Sequence, residues 1–503
     1  MSLLVLLEMA AQGYDDRTAL GEHPQTLSYA GLERVARAGA AVIADSGAGS
    51  VAFVGVNGPV LSTLLFAAAA ARVPFAPLNY RLADERILAL VQRLDRPLVV
   101  VDSALAERLE WGEATVLTTA QWLAAVETAE PIAATPADAE ETAVILFTSG
   151  TTGEPKVVEL RHGNLSSYVF ATVEFGSAAA DDAVLVSVPP YHVAGVASTL
   201  SNIYAGRRMV HLPNFDAADW AETVLRERIT SAMVVPTMLA RIVEVLEPSD
   251  PRLVSLRSLA YGGAAIPESV LTRALELMPS VDFTNAYGLT ETSSTITVLG
   301  PAEHRDAMDQ PGHRHRLRSA GRAVPGIELE VRSEQGERCA PWELGELWVR
   351  GAQVSGRYGG SGSALDGEGW FPTRDLAELD ADGFVYLHGR MDDTIIRGGE
   401  NISPSEIEDV LRDLAGIRDV CVVGLADDEW GERTVAVVES EAQSGLQPDQ
   451  VREYARGRVR SSLTPDVVLI SAEPLPYSPV GKLLRRQVAV GVASTLLDVG
   501  QQP

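Results

Sequence analysis

Only two lysines occur in the 503 residues, against 39 arginines, and both lie in stretches whose residue types suit phosphate chemistry. Lys156 closes "TSGTTGEPK", in which Thr148, Ser149, Gly150, Thr151, Thr152 and Gly153 offer hydroxyls and open backbone amides that can surround a phosphate, with an ammonium at the end. Lys482 lies in "SPVGKLLRR" near the C-terminus. Neither lysine is followed by Ser or Thr, so neither belongs to a Walker A loop. Taken alone, a Gly/Ser/Thr-rich run also reads as a solvated loop. The rarity of lysine favours phosphate. Pressure towards arginine removes lysine wherever any cation serves, but a broad, planar guanidinium cannot replace a compact ammonium between crowded oxyanions. A preorganised cation at such a place stabilises the charge that builds up as phosphoryl oxygens react.

The elements that must position these residues show as short β-branched runs, "VAFVGV", "PLVVVD", "AVILF", "AVLVSV", "SAMVV" and "SLAY", alternating with Ala/Leu-rich helical stretches. That alternation predicts an α/β fold with parallel-rich sheets covered by helices. Several runs end in polar, Gly-rich or Pro-rich loops: "TSGTTGEPK", "PPYHVAG", "PTM" and "GGAAIP". Ligands collect beyond the carboxyl ends of such strands, so one shared crevice is expected. From about residue 325 the units "PGIELEV", "GELWVRG" and "DGFVYLHGR" suggest a small antiparallel β lobe. After Arg390 a charged "MDD" leads to Gly398-Gly399 and to Ser403-Pro404, a helix start, opening an α+β domain of about a hundred residues.

Composition bounds the partners. A chain this long exceeds one hydrophobic core, so two or three domains are expected. The net charge of -27 argues against wrapping nucleic acid or docking on anionic lipid. Cys339 and Cys421 form no CxxC pair, which points to neither a disulfide framework nor a zinc site and fits a reducing cytoplasm. The apolar start "MSLLVLLEMAAQ" lacks a basic region and reads as a helix, and "VLSTLLFAAAAA" falls short of the roughly 20 residues a membrane span needs. No membrane span is expected.

Five stretches in order, "LFTSGTTGEPK", "AYGLTET", "GWFPTRDLAELDADGFVYLHGRMDD", "IIRGGENISPSEIE" and "PYSPVGK", resemble the motif series of the adenylate-forming superfamily: acyl-CoA synthetases, luciferase-like enzymes and nonribosomal peptide adenylation domains. The resemblance spans essentially the whole chain. It implies an N-terminal ATP- and acyl-binding domain over 1–389, a hinge at 390–393 with Asp392 at its centre, and a mobile C-terminal domain over 394–503. It also implies two half-reactions, in which a carboxylate attacks the α-phosphate of ATP and a thiol then displaces AMP. Thr148–Gly153 and Lys156 resemble the segment that holds the β- and γ-phosphates. Gly262, Gly263, Ala264, Asn285, Ala286, Tyr287 and Gly288 would form the nucleotide site, with Tyr287 stacking on adenine. Thr290 would bond the α-phosphate and Glu291 would hold Mg²⁺; Asp375, assisted by Arg390, would accept from the ribose hydroxyls. Lys482 would bridge the α-phosphate and the acid, while Gly398 and Gly399 would lie alongside pantetheine. His192 resembles the residue that gates the acyl pocket.

The acyl pocket itself would draw on Val193, Val196, Val235, Pro236, Thr237 and Gly262, and the stretches "YHVAGVASTL" and "VVPTML" contain neither an acid for an ammonium nor an arginine for a second carboxylate. A hydrophobic acid, fatty, aryl or polycyclic, follows. The expected partners are that small carboxylic acid, or its adenylate, and coenzyme A; a homodimer stays open. Three positions depart from the family pattern: Val157 and Arg374 stand where glycine is usual, and "SSLTPDVV" replaces a Tyr-Lys-x-Pro stretch. Val157 resists positive φ, so a weakened phosphate grip is expected if the loop needs that freedom. A thioesterification-only ligase fed with preformed acyl-adenylate, and a non-catalytic adenylate-binding protein, therefore stay open beside a complete acyl-CoA ligase.

Overall fold

A computed structural model describes residues 1–148, 155–359, 362–397, 400–427, 430–441, 444–459, 463–471, 473–478 and 481–498, with backbone alone at 392, 400, 401 and 495–498. The chain parts into two units: Met1–Leu329 with Val349–Phe371, and Glu330–Trp348 with Pro372–Pro503.

The first unit holds two large sheets. Edge to edge, the nine-stranded sheet runs Arg322–Ala323, Ser294–Leu299, Asp282–Leu289, Ser258–Gly262, Ser231–Val234, Ala183–Val186, Arg208–His211, Thr18–Glu22 and Gln25–Ser28. Its centre is parallel, and only the pairs nearest the two edges are antiparallel. Strands buried on both faces need continuous apolar runs rather than alternation, as "AVLV" over Ala183–Val186 provides, with all four residues buried. The eight-stranded sheet runs Gly362–Ser363, Arg357–Tyr358, Lys156–Arg161, Thr142–Thr148, Phe75–Pro77, Ser50–Val54, Pro97–Val101 and Thr115–Thr118. The N-terminal run is a helix, Leu3–Tyr14, capped by the Ser2 side chain at Leu4 N. "PVLSTLLFAAAAA" is the helix Pro59–Ala71, buried all round from Val60 to Ala70. Among the described residues no helix is long and apolar enough to cross a membrane.

The connection after "AVILF" differs from the expected parallel pattern. Strand Lys156–Arg161 returns antiparallel to Thr142–Thr148, with Thr148 opposite Lys156. Lys156 thus opens a strand of the sheet and not a helix.

The second unit carries most of a four-stranded sheet, in which Phe371–Leu379 pairs antiparallel with Val385–Arg390. Its α+β part pairs the long antiparallel strands Ile417–Asp427 and Gly431–Ser440, with Val467–Ser471 parallel to the latter. Helix Pro404–Arg412, with Pro at its first turn and Glu406 beside it, packs Ile407 and Leu411 into the same core as Val420, Val422 and Ala436. Both cysteines are free, and burial pushes the Cys421 thiol up to about 12.

Candidate active site

Four neighbouring parallel strands of the nine-stranded sheet deliver most of the expected residues at their carboxyl ends. Ala183–Val186 leads to His192, Val193 and Val196; Ser231–Val234 to Val235, Pro236 and Thr237; Ser258–Gly262 to Gly263 and Ala264. The adjacent strand Asp282–Leu289 carries Asn285, Ala286, Tyr287 and Gly288, and the turn Thr290–Thr292 follows it.

Glycine is dictated by geometry at two of these places. At Gly262, paired with Ala286, a Cβ would stand 2.1 Å from the Ala286 carbonyl oxygen. At Gly288 it would stand 1.9 Å from Ser294 O, beside a register shift between Tyr287 and Gly288 that turns the strand end. Asn285 Nδ2 donates to Ser319 O at 3.2 Å, and Tyr287 packs partly against the Ile296, Val324 and Phe371 cluster. Gly263 has φ +87°.

Of the residues expected to line the acyl pocket, Val196 is fully buried and Val235 is 5% exposed. Residue 193 begins the helix Val193–Ala205, for which His192 is the N-cap, its ring 4.7 Å from that of Tyr191. Burial pushes the Tyr191 phenol up to about 12.

The turn Thr290–Thr292 is anchored twice. Thr292 Oγ1 accepts from Leu289 N at 3.0 Å and donates back to Leu289 O at 3.0 Å. The Glu291 carbonyl accepts from Ser355 N at 2.8 Å and from Gly356 N at 3.3 Å. The Glu291 carboxylate accepts from Tyr358 Oη at 2.9 Å, and Lys156 Nζ lies 5.5 Å from the centre of the Tyr358 ring. The Tyr358 hydroxyl meets this carboxylate, Thr290 precedes it in the turn, and among the described residues no group of three or more His, Cys, Asp or Glu gathers to hold a metal. Such a donor set fits Mg²⁺ that arrives with phosphates and keeps most of its waters.

In the second unit Asp375 and Arg390 face each other across paired strands, with Arg390 Nε 3.0 Å from Asp375 Oδ1. Asp375 is 7% exposed, and its backbone N–H is held by Thr373 Oγ1 at 3.1 Å. Lys482 ends a tight turn: Ser478 N donates to Lys482 O at 2.7 Å, Lys482 N to Ser478 Oγ at 3.0 Å, and Gly481 has φ +71°. Three residues on, Arg485 grips Glu408 with Nη2 at 3.2 Å and Nη1 closer still, donates to Val422 O at 2.6 Å and approaches Asp393 at 3.6 Å. Upstream, the Ser403 and Ser405 hydroxyls both donate to the His388 carbonyl oxygen. Ser403 thus ties down a strand end and does not cap its helix. Asp392 lies in the turn Met391–Asp393.

Ser149, Gly150, Thr151, Thr152, Gly153, Gly398 and Gly399 lie outside the described residues, as do 460–462 of the "SSLTPDVV" stretch. Of the departures, Val157 sits inside a strand, opposite Phe147, in the extended backbone that a β-branched residue prefers. The expected weakening of the phosphate grip therefore loses its basis. Arg374 does occupy a glycine-type conformation, φ +64°. Sequence reasoning does not single out Tyr358, Arg485, Glu408 or Ser405, and it takes Ser403 only as a helix start; the local signal for Tyr358 is an aromatic residue between Gly356 and Gly359.

A sheet crevice lined by glycines, hydroxyls, one carboxylate and one ammonium, followed by a separate lysine-bearing α+β module, is the equipment of an adenylate-forming ligase. The profile of the AMP-binding enzyme family matches residues 7–358, and that of the AMP-binding enzyme C-terminal domain matches 406–482. An indoleacetate–CoA ligase of Aromatoleum aromaticum is 30% identical over 499 residues, covering 95% of both chains, and a feruloyl-CoA synthase of an Amycolatopsis species is 32% identical over 451, covering 87% of this chain and 88% of its own. The o-succinylbenzoate CoA synthetase of Bacillus subtilis, solved with its acyl-adenylate intermediate, superposes with a TM-score of 0.83 at 26% identity over 96% of this chain and 97% of that one. The chain belongs to the AMP-binding enzyme family, among the AMP-forming acid–thiol ligases that use ATP, Mg²⁺ and coenzyme A.

Proposed function

We propose that this ligase joins a hydrophobic carboxylic acid to coenzyme A in the cytoplasm, with aryl acids the first to test. The observation that carries the reading is that Gly262–Ala264, Asn285–Gly288, Thr290 and Glu291 follow neighbouring strands of the nine-stranded sheet at their carboxyl ends, together with Val193, Val196, Val235 and Pro236, while Lys156 on the eight-stranded sheet meets the Tyr358 ring whose hydroxyl holds Glu291. Relatives named for indoleacetate and ferulate, both aryl acids, support the choice.

In the first step a carboxylate oxygen attacks the α-phosphorus and the bond to pyrophosphate breaks. Lys156 and the 148–153 loop would hold the outgoing phosphates, Tyr287 would cover adenine, and Asp375, fixed by Arg390, would accept from the ribose hydroxyls. Thr290 and Lys482 would stabilise charge gathering on the α-phosphate. Glu291 would hold Mg²⁺, which supplies neutralisation of phosphate charge when bound. In the second step the CoA sulfur attacks the acyl carbon and AMP leaves with its electron pair. A thiol with a pKa of about 8.5 is a few per cent thiolate at neutral pH, so no dedicated base is required. Residues 394–503 would turn about 390–393, with Asp392 as pivot, taking Lys482 away and bringing Gly398 and Gly399 to the pantetheine. His192 would shield the acyl end.

A panel of aryl, fatty and polycyclic acids, assayed separately for AMP and acyl-CoA, tests this. The expected result is stoichiometric AMP and thioester with an aryl acid; absence of ATP–pyrophosphate exchange across the panel would refute it.

A further inference from the structure

Tyr358 lies on the two-residue strand Arg357–Tyr358, which pairs antiparallel with Lys156–Arg161 at Val158. One face of its ring is turned to Lys156 Nζ at 5.5 Å, within the range of a cation–π contact. Its hydroxyl donates to Glu291 Oε1 at 2.9 Å. The same segment also fixes the Glu291 backbone through Ser355 N and Gly356 N, and ties back to Glu159 O through Ser355 Oγ. Residues 355–358 thus set both the main chain and the carboxylate of Glu291, while the phenol stands next to the ammonium of Lys156.

Opposite charges left alone in a shared site pair with each other, and a paired carboxylate and ammonium are both poorer partners for a third group. Among the described residues no ion pair joins Lys156 to Glu291, and Glu291 Oε2 takes no hydrogen bond. We propose that Tyr358 is a positioning residue that holds the Glu291 carboxylate open for the metal of metal–ATP while its ring keeps Lys156 from collapsing onto that carboxylate. The inference rests on the reading of Glu291 as the residue facing the metal. A phenol suits the task because it donates one hydrogen bond to one carboxylate oxygen, leaves the second oxygen available, and carries no charge of its own.

The test is binding, with Mn²⁺ standing in for Mg²⁺: its free signal is followed by electron paramagnetic resonance in the presence of ATP and the full chain. Tyr358→Phe keeps the ring and loses the hydroxyl, so it should weaken Mn²⁺–ATP binding about tenfold, the scale of one hydrogen bond to a charged group, and leave AMP binding unchanged. Tyr358→Leu loses the ring as well and should further weaken ATP relative to AMP. Wild-type Mn²⁺–ATP affinity in Tyr358→Phe, with Glu291→Gln impaired, overturns the positioning role alone. Wild-type affinity in Glu291→Gln overturns the metal reading of Glu291 and the inference with it. Loss of AMP and Mn²⁺–ATP binding in equal measure in Tyr358→Phe would mark the tyrosine as a packing residue and also overturn the proposal.

Discussion

Arg485 and Glu408 form a buried, two-pronged ion pair that joins the start of the last helix to helix Pro404–Arg412. Glu408 is 2% exposed, and the same guanidinium takes in Val422 O and lies near Asp393. It therefore connects the segment just after Lys482 to the short turn at 391–393. Removing one member of such a pair strands the other charge, which costs about 3–5 kcal/mol. Arg485→Met should lower the unfolding free energy of the second unit by about that amount in urea titration, and adding Glu408→Leu should recover much of it. A double variant no more stable than the single one would contradict the pairing.

Lys482→Ala is expected to reduce ATP–pyrophosphate exchange by about 10²–10³-fold, the scale of losing one preorganised charge partner in a transition state. Thioester formation from supplied acyl-adenylate and CoA should survive. Lys482→Arg should not restore the exchange, because the forked group does not fit where the ammonium acts. Equal loss in both steps would exclude the proposed alternation.

Arg374 holds φ +64°, a region in which a side chain is strained and glycine is not. Asp375 directly follows, and the strand's register shifts between Leu376 and Ala377. Arg374→Gly should raise stability by about 0.5–1 kcal/mol, read as a higher melting temperature, with the KM for ATP unchanged. A lower melting temperature would mean that the guanidinium makes up for the backbone strain.

Three buried histidines should make the fold acid-sensitive. Burial holds His162 and His211 down at about 4 and lowers His304 as well, against about 6.5 in the unfolded chain. Between those values the unfolded chain binds the extra protons, so the stabilisation is complete above pH 6.5 and is lost as pH falls towards 4. His162 Nδ1 accepts from Leu3 N at 3.1 Å, and protonation abolishes that acceptor. Between pH 7.5 and 5 the loss should be about 2 kcal/mol for each of His162 and His211. His211→Leu should flatten the acid limb of melting temperature against pH; an unchanged slope would remove His211 from the account.

The parallel strands were readable because each is a short apolar run between helical stretches, and buried strands need little else. The antiparallel return of Lys156–Arg161 onto Thr142–Thr148 was not, since the Gly/Ser/Thr-rich run before "KVVELR" reads as a phosphate loop and the partner of that strand is decided by sheet closure. The contact of Leu20 with Met209, which puts an N-terminal strand beside one from the middle of the chain, depends on packing far apart in sequence. Within the site, residue types and order pointed to Glu291 and Lys156, but Tyr358 between them is visible only once strand Arg357–Tyr358 is paired with Lys156–Arg161. The unusual residue at 374 could be seen in the sequence, whereas its left-handed backbone could not. Val157 shows the reverse: an apparent defect in a loop is an ordinary strand residue.

Two hydroxyls sharing a single oxygen at residue 388 give the segment 390–393 a catch on its upstream side. If residues 394–503 turn about 390–393 as proposed, a turn that parts 403–405 from residue 388 has to release both serines together. Removing both hydroxyls, Ser403→Ala with Ser405→Ala, is therefore the direct way to ask whether this catch sets the balance between the two proposed half-reactions.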